Sequence, residues 1–241
     1  MSGCPGYDLR GLSVVAYPDE QWLLEEIFTG GRVRPGTMVA MNAEKIIAAE
    51  SDPLLRNSIQ AADYRYADGV SVVMAVRRKH AVRLTRITGA DLWHGLMARA
   101  VTERAAVYLL GGRPPVALEV HRKLRHEWNV RVVGSRHGYF ADADRDAVMR
   151  EIRDSGAAIV TVALGSPRQE IFMQECRRLH PALYIGVGGT FDVVSGQVRR
   201  APAVLRRCGL EWCYRILVQP TRLFRVGRLI RFAILHLRNR L

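Results

Sequence analysis

The sequence predicts an α/β fold, a parallel sheet with helices on both faces and a basic helical tail behind it. Three observations predict it. Apolar runs of strand length alternate with stretches of helix length through the middle of the chain. Those runs end in glycine turns. The charge is concentrated after them: the net charge is +13, and residues 199–241, with eleven arginines, no lysine and the single acid Glu211, carry +10 of it. At 241 residues, 49% of them hydrophobic, the chain is long enough to bury one sizeable core.

The elements follow in order. Residues 37–41 read as a buried strand feeding the helix NAEKIIAAE, and residues 64–67 as a short strand leading into Asp68-Gly69 and a further helix. Arg86 precedes a helix that opens on TGADLW. Strands are then expected at 106–110, 130–133, 159–164 and 183–187, separated by helices at 114–128, 143–155 and 167–179. Such alternation argues for a Rossmann-like parallel sheet covered on both sides. We place the α/β domain at residues 1–198 and the basic appendage at 199–241.

The last four strands run into GGRPP, GSRHGYF, LGSPRQE and GVGGTFD. All four turns fall at the carboxyl edge of the sheet, where open α/β sheets bind ligands. Gly111, Gly112 and Gly165 belong to these turns and are candidates for lining a donor site. The turns after residues 41 and 67 are expected to join the same edge.

Several chemistries are absent from the sequence. There is no Walker motif, no GxGxxG after a strand, no GxSxG and no HExxH. Cys4, Cys176, Cys208 and Cys213 form no CxxC pair, which argues against a zinc or redox motif and fits a reducing cytoplasm. Asp142-Ala143-Asp144 has the spacing of a metal clamp, but acids that open a helix complement its dipole, and we expect neither a metal nor a cofactor. No signal peptide is apparent, and every apolar stretch is broken by charge before the ~18–20 residues a spanning helix needs.

Asp68 is the best candidate general base: it follows a strand, in a turn that a glycine lets bend. An ordinary Asp-Gly turn explains it equally well. Gln169 and Glu170 sit in the first turn of a helix opened by Pro167, where free N–H groups favour phosphate; dipole complementation is the simpler account of Glu170. Asp192 is placed to accept from a nucleobase or a sugar hydroxyl, or to cap a helix. His137 reads as a solvated loop residue, and Trp212 and Tyr214 as docking groups for the appendage. Past Pro202, helices are expected at 210–218 and 221–237. In the second, arginines 222, 225, 228 and 231 recur among apolar residues. A basic amphipathic helix of this kind lies in a membrane interface, or docks on the domain with its arginines solvated. DNA binding through the tail would leave the glycine turns unexplained, so no nucleic-acid partner is expected.

The blocks MNAEKI, YADG, RITGADLW, LLGG, VVGSRHGYF, VALGSPRQE, GVGGTFDVVSG, RRAP and LEWCYR together resemble the WecG/TagA/CpsF family of bacterial glycosyltransferases over nearly the full length. Within it they look most like the branch that transfers N-acetyl-D-mannosaminuronic acid in enterobacterial common antigen synthesis. The resemblance implies a UDP-sugar donor, an undecaprenyl-diphosphate-linked acceptor at the cytoplasmic membrane face, and an inverting, metal-independent transfer. It implies that Asp68 is the base and that Asn42, Arg86 and Gln169 are active-site residues. Tyr139 and Asp192 fall near the nucleotide, and Arg215, Arg222 and Arg225 approach the diphosphate. Many relatives have threonine where this chain has Ala40. Arg86 and Lys45 are the cations we consider for a donor carboxylate; the alternatives are a solvated Lys45 and an Arg86 paired with an acid such as Asp91. A homo-oligomer is compatible with the sequence.

Overall fold

The computed structural model describes residues 3–202, 204–205, 211–218 and 226–241. The chain opens with a hairpin, β1 (Gly6–Leu9) and β2 (Leu12–Val15), then α1 (Glu20–Ile27) and a small hairpin of β3 (Phe28–Thr29) and β4 (Arg32–Val33). The alternating part follows: β5 (Gly36–Met41), α2 (Ala43–Ala48), α3 (Pro53–Gln60), β6 (Tyr64–Ala67), α4 (Val70–His80), α5 (Gly89–Thr102), β7 (Val107–Gly111), α6 (Pro114–His126), β8 (Val132–Arg136), α7 (Arg145–Asp154), β9 (Ile159–Ala163), α8 (Arg168–Leu179), β10 (Leu183–Gly186) and α9 (Thr190–Val194). Two tail helices are α10 (Glu211–Val218) and α11 (Val226–Leu237).

Among the described residues, eight strands form one sheet in the order β1-β2-β6-β5-β10-β9-β7-β8. Only the β1–β2 pair is antiparallel. The expected parallel sheet is present, with strand limits within one to three residues of those read from the sequence. The hairpin at its edge was not foreseen. Its two-residue turn is Arg10-Gly11, both at positive φ (59° and 75°), as a primed hairpin turn requires. Arginine is not the residue that announces such a turn. β8 also runs further than expected, through Gly134 and Ser135. A side chain at Gly134 would meet the Tyr108 ring at 2.5 Å, so this glycine permits close packing instead of ending the strand.

The two faces carry separate cores. One packs α2, α3, α4, α7 and α8 through Ile46, Ile59, Val76, Ile152 and Phe172. The other packs α1, α5, α6 and α9 around Trp93, Leu96, Val120 and Phe191. β5 and β10 are neighbours, yet α2 leaves β5 over one face and α9 leaves β10 over the other. In open α/β sheets ligands bind where two such connections diverge, here at the carboxyl ends of β5 and β10.

The last tail helix docks on the domain. Phe232 is 2% exposed and joins the first core, beside α2. Arg228 and Arg231 pair with Glu44 and Glu50 at 3.5 and 2.6 Å. Leu241 is buried, and the Arg240 carbonyl accepts from Arg10. The outward side of α11 keeps Ile230, Ile234 and Leu237 exposed. No helix among the described residues is long and apolar enough to cross a membrane.

Candidate active site

At the end of β6 the Asp68 and Gly69 amides both donate to the Met41 carbonyl, at 3.0 and 3.3 Å, which folds the turn over the end of β5. Asp68 is half-buried. Its Oδ1 accepts from the Gly89 amide at 3.0 Å, at the N-terminus of α5. Arg86 donates from Nε to the Asp68 carbonyl at 2.8 Å. Thr88 caps the same helix end, its Oγ1 accepting from the Asp91 amide. Asp91 pairs with Arg200, from the RRAP block.

Asn42 lies one strand away, at the end of β5. Its Oδ1 accepts from the Lys45 amide at 3.0 Å and starts α2. Lys45 then turns inward. Its Nζ donates to the Ala40 carbonyl at 3.0 Å and pairs with Glu170 Oε1 at 2.9 Å, and the two side chains are only 7% and 1% exposed. Glu170 Oε1 also accepts from Gln169 Nε2 at 2.8 Å, and Gln169 Oε1 accepts from the Gly188 amide at 3.3 Å. Lys45 is therefore neither solvated nor open to a ligand's carboxylate.

Two buried polar atoms at this edge have no hydrogen-bond partner, Glu170 Oε2 and the Tyr66 hydroxyl. Burial holds the Tyr66 phenol well above its ordinary range, with Asp68, Glu170 and Glu20 adding to the effect. Tyr66 therefore stays a neutral hydroxyl. A side chain at Gly89 would come within 3.1 Å of that hydroxyl and 3.8 Å of the Ala40 methyl.

The other end of the edge is made of turns. Gly111, at φ 128°, lies against the Ala163 carbonyl, which any added Cβ would meet at 2.4 Å. The Gly112 amide bonds Ala163 O at 3.2 Å, and the Gly138 amide bonds Gly112 O at 2.8 Å, so three loops are stitched backbone to backbone. Tyr139 projects from this seam, 68% exposed, its amide donating to His137 Nδ1. His137 thus shapes the loop. Asp192 is half-buried in the first turn of α9, which has no side-chain cap, so the capping role does not hold. Gly165, at φ 76°, hands its carbonyl to the Gln169 amide.

A family model described as the glycosyl transferase WecG/TagA/CpsF family matches residues 9–241. The chain belongs to that family. It is therefore a glycosyltransferase, and its family works with a nucleotide-sugar donor and a lipid-linked acceptor.

In this WecG/TagA/CpsF member the carboxyl edge gathers Asn42, Asp68, Arg86, Gln169 and Glu170, with Gly111, Gly112, Tyr139, Gly165 and Asp192 at the ends of the neighbouring strands. The Arg215 side chain, Arg222 and Arg225 lie outside the described residues. Asp142 and Asp144 form one exposed 3-10 turn before α7 and make no cap bond. Among the described residues no three His, Cys, Asp or Glu side chains gather where they could hold a metal. Two cavities, of about 300 and 270 Å³, flank α5 near Glu20 and Trp128; none of the predicted site residues lines them. Sequence reasoning missed Tyr66, which reads as ordinary strand core, and Gly89. The TGADLW block marked the helix start, but not that the Gly89 amide would hold Asp68.

Proposed function

We propose that this glycosyltransferase moves N-acetyl-D-mannosaminuronic acid from UDP to N-acetylglucosaminyl-diphospho-undecaprenol, inverting the anomeric centre without a metal. The observation that carries the chemistry is the Asp68 carboxylate, held by the Gly89 amide at the carboxyl edge of the sheet, one strand from Asn42. In the step, the acceptor hydroxyl gives its proton to Asp68 while its oxygen bonds the sugar's anomeric carbon. The bond from that carbon to the diphosphate breaks on the opposite side, and UDP leaves with the electron pair.

Negative charge grows on the leaving diphosphate. The N-terminus of α8 and the arginines of the tail, Arg215, Arg222 and Arg225, are the groups we assign to it. Tyr139, Asp192 and the turns at Gly111, Gly112 and Gly165 are assigned to the nucleotide. Arg86 brings a guanidinium to the Asp68 turn and is assigned to the donor's carboxylate, which arginine grips through paired hydrogen bonds. The exposed Ile230, Ile234 and Leu237, with the arginines beside them, support seating on an anionic cytoplasmic membrane surface, where the lipid acceptor lies.

One observation favours a second reading. Lys45 spends its charge on Glu170, leaving one cation fewer for a uronic acid. An uncharged donor, UDP-N-acetylmannosamine or UDP-glucose, needs none. A panel of UDP sugars offered with a soluble acceptor analogue, with products read by mass spectrometry, decides between them. We expect the uronic acid donor to be preferred, and Arg86→Met to weaken its use more than that of UDP-N-acetylmannosamine. Wild-type preference for an uncharged sugar would select the second reading.

A further inference from the structure

We propose that the buried Lys45–Glu170 pair is a positioning device that fixes the Gln169 amide and the Asn42 turn as one unit at the carboxyl edge of the sheet. The inference rests on the glycosyl-transfer reading of this site and assigns Lys45 and Glu170 a role that involves no contact with substrate.

The connections form an unbroken run. Asn42 Oδ1 takes the Lys45 amide, Lys45 Nζ reaches Glu170, Glu170 takes Gln169 Nε2, and Gln169 Oε1 takes the Gly188 amide. The run joins the ends of β5, β9 and β10, three neighbouring strands of the sheet. Gln169 and Glu170 are adjacent on a helix, where neighbouring side chains do not face each other. Their bond forms because Lys45 draws the carboxylate inward from α2. The bonds also decide which way the amide points. Only the orientation with Nε2 on the carboxylate and Oε1 on the Gly188 amide satisfies both partners. Nε2 carries a second hydrogen, which Gln169 can offer to a ligand as a donor. A side chain at Gly186 would meet Nε2 at 2.6 Å, so this glycine keeps the amide's place open.

Stability does not account for the pair. A buried ion pair is often no better than apolar side chains of the same volume, and this one leaves Glu170 Oε2 without a partner. What an apolar replacement could not supply is the orientation of Gln169.

The test uses the full chain. Lys45→Met strands the Glu170 carboxylate, so we expect kcat per folded enzyme to fall about 10–100-fold, the range typical of outer groups that orient a site residue. KM for the UDP sugar should stay within about threefold, because the nucleotide contacts assigned to Tyr139, Asp192 and the glycine turns remain. Adding Glu170→Gln removes the stranded charge but not the loss of Lys45, so kcat should stay at least about tenfold below wild type. NMR of the Gln169 side-chain amide and the Gly188 amide gives a readout that needs no turnover. Both should shift in Lys45→Met and remain shifted in the double variant. Unmoved resonances in Lys45→Met, or a loss of activity that only tracks the unfolded fraction, would overturn the proposal. If Lys45→Met does not fold, the double variant decides: Gln169 and Gly188 resonances at their wild-type positions in it refute the device. A wild type that turns over no UDP sugar would sink the glycosyl-transfer reading while the NMR comparison still settles the coupling.

Discussion

Around Asn42, Asp68 and Gln169 the protein holds its own polar side chains: Asp68 on Gly89, Asn42 on Lys45, Gln169 between Glu170 and Gly188. Around Gly111, Tyr139 and Asp192 it holds the backbone instead, through the glycine seam, and leaves Tyr139 in solvent. The difference matches two tasks. Bond making tolerates little displacement, so its groups are fixed before substrate arrives. Holding a nucleotide tolerates adjustment, and an exposed aromatic on a stitched loop can close on a base when one is present. The first half should therefore control kcat and the second KM.

The strongest way to break that division is Asp68→Asn. Loss of a general base typically costs ~10²–10⁴-fold in kcat. UDP affinity, read by calorimetry, should hardly change. Turnover within a few-fold of wild type would remove Asp68 from the chemistry, and a matching loss of UDP affinity would mean the two halves are not separate.

Next in size is the tail. α11 contributes Phe232 to the core, so truncating the chain before it would unfold more than it informs. Replacing Ile230, Ile234 and Leu237 together with serine spares that contact and removes only the outward stripe. Three partly inserted apolar side chains should account for roughly 10–100-fold in binding to anionic vesicles. Turnover of a water-soluble acceptor should be untouched. Undiminished vesicle co-sedimentation would show that the stripe is not the membrane contact.

On the open half, Tyr139→Ala should raise KM for the donor about tenfold, since stacking of a base on an aromatic ring is worth ~1–3 kcal/mol. kcat should hold. A fall in kcat with KM unchanged would move Tyr139 to the chemical half.

How much of this was legible in the sequence differs along the same line. The glycine turns and apolar strands were legible because both are local: GVGGTFD follows its strand wherever the strand goes. Parallel pairing then carried the turns to one edge. The edge hairpin was not legible, because Arg10 takes the left-handed position usually marked by Asn or Asp. The fixing of the first half was hidden for another reason. Lys45 pairs with Glu170, and Asp68 with Gly89, through contacts between segments far apart in the chain. No period or spacing records them. Each residue alone looked like a helix-surface charge or a turn acid. Tyr66 was hidden by resemblance to its neighbours, since a buried tyrosine in a strand reads as core until its hydroxyl is found without a partner.

The smallest expected effect is that of chelation. The first half supplies a carboxylate and an amide donor, and the diphosphate's charge falls to arginines and a helix N-terminus. Asp142 and Asp144, which have metal-clamp spacing, sit in an exposed turn before α7. Turnover should therefore be unchanged in EDTA. The outcome that would break the comparison is a loss in EDTA regained with Mg²⁺ or Mn²⁺. A divalent ion bridging donor diphosphate to protein would need oxygen ligands, and Asp68 and Asp192 are the acids at this edge placed to give them. Asp68 would then be a ligand whose position depends on the bound nucleotide. The half of the site that looks fixed in advance would be completed only by the ligand of the other half.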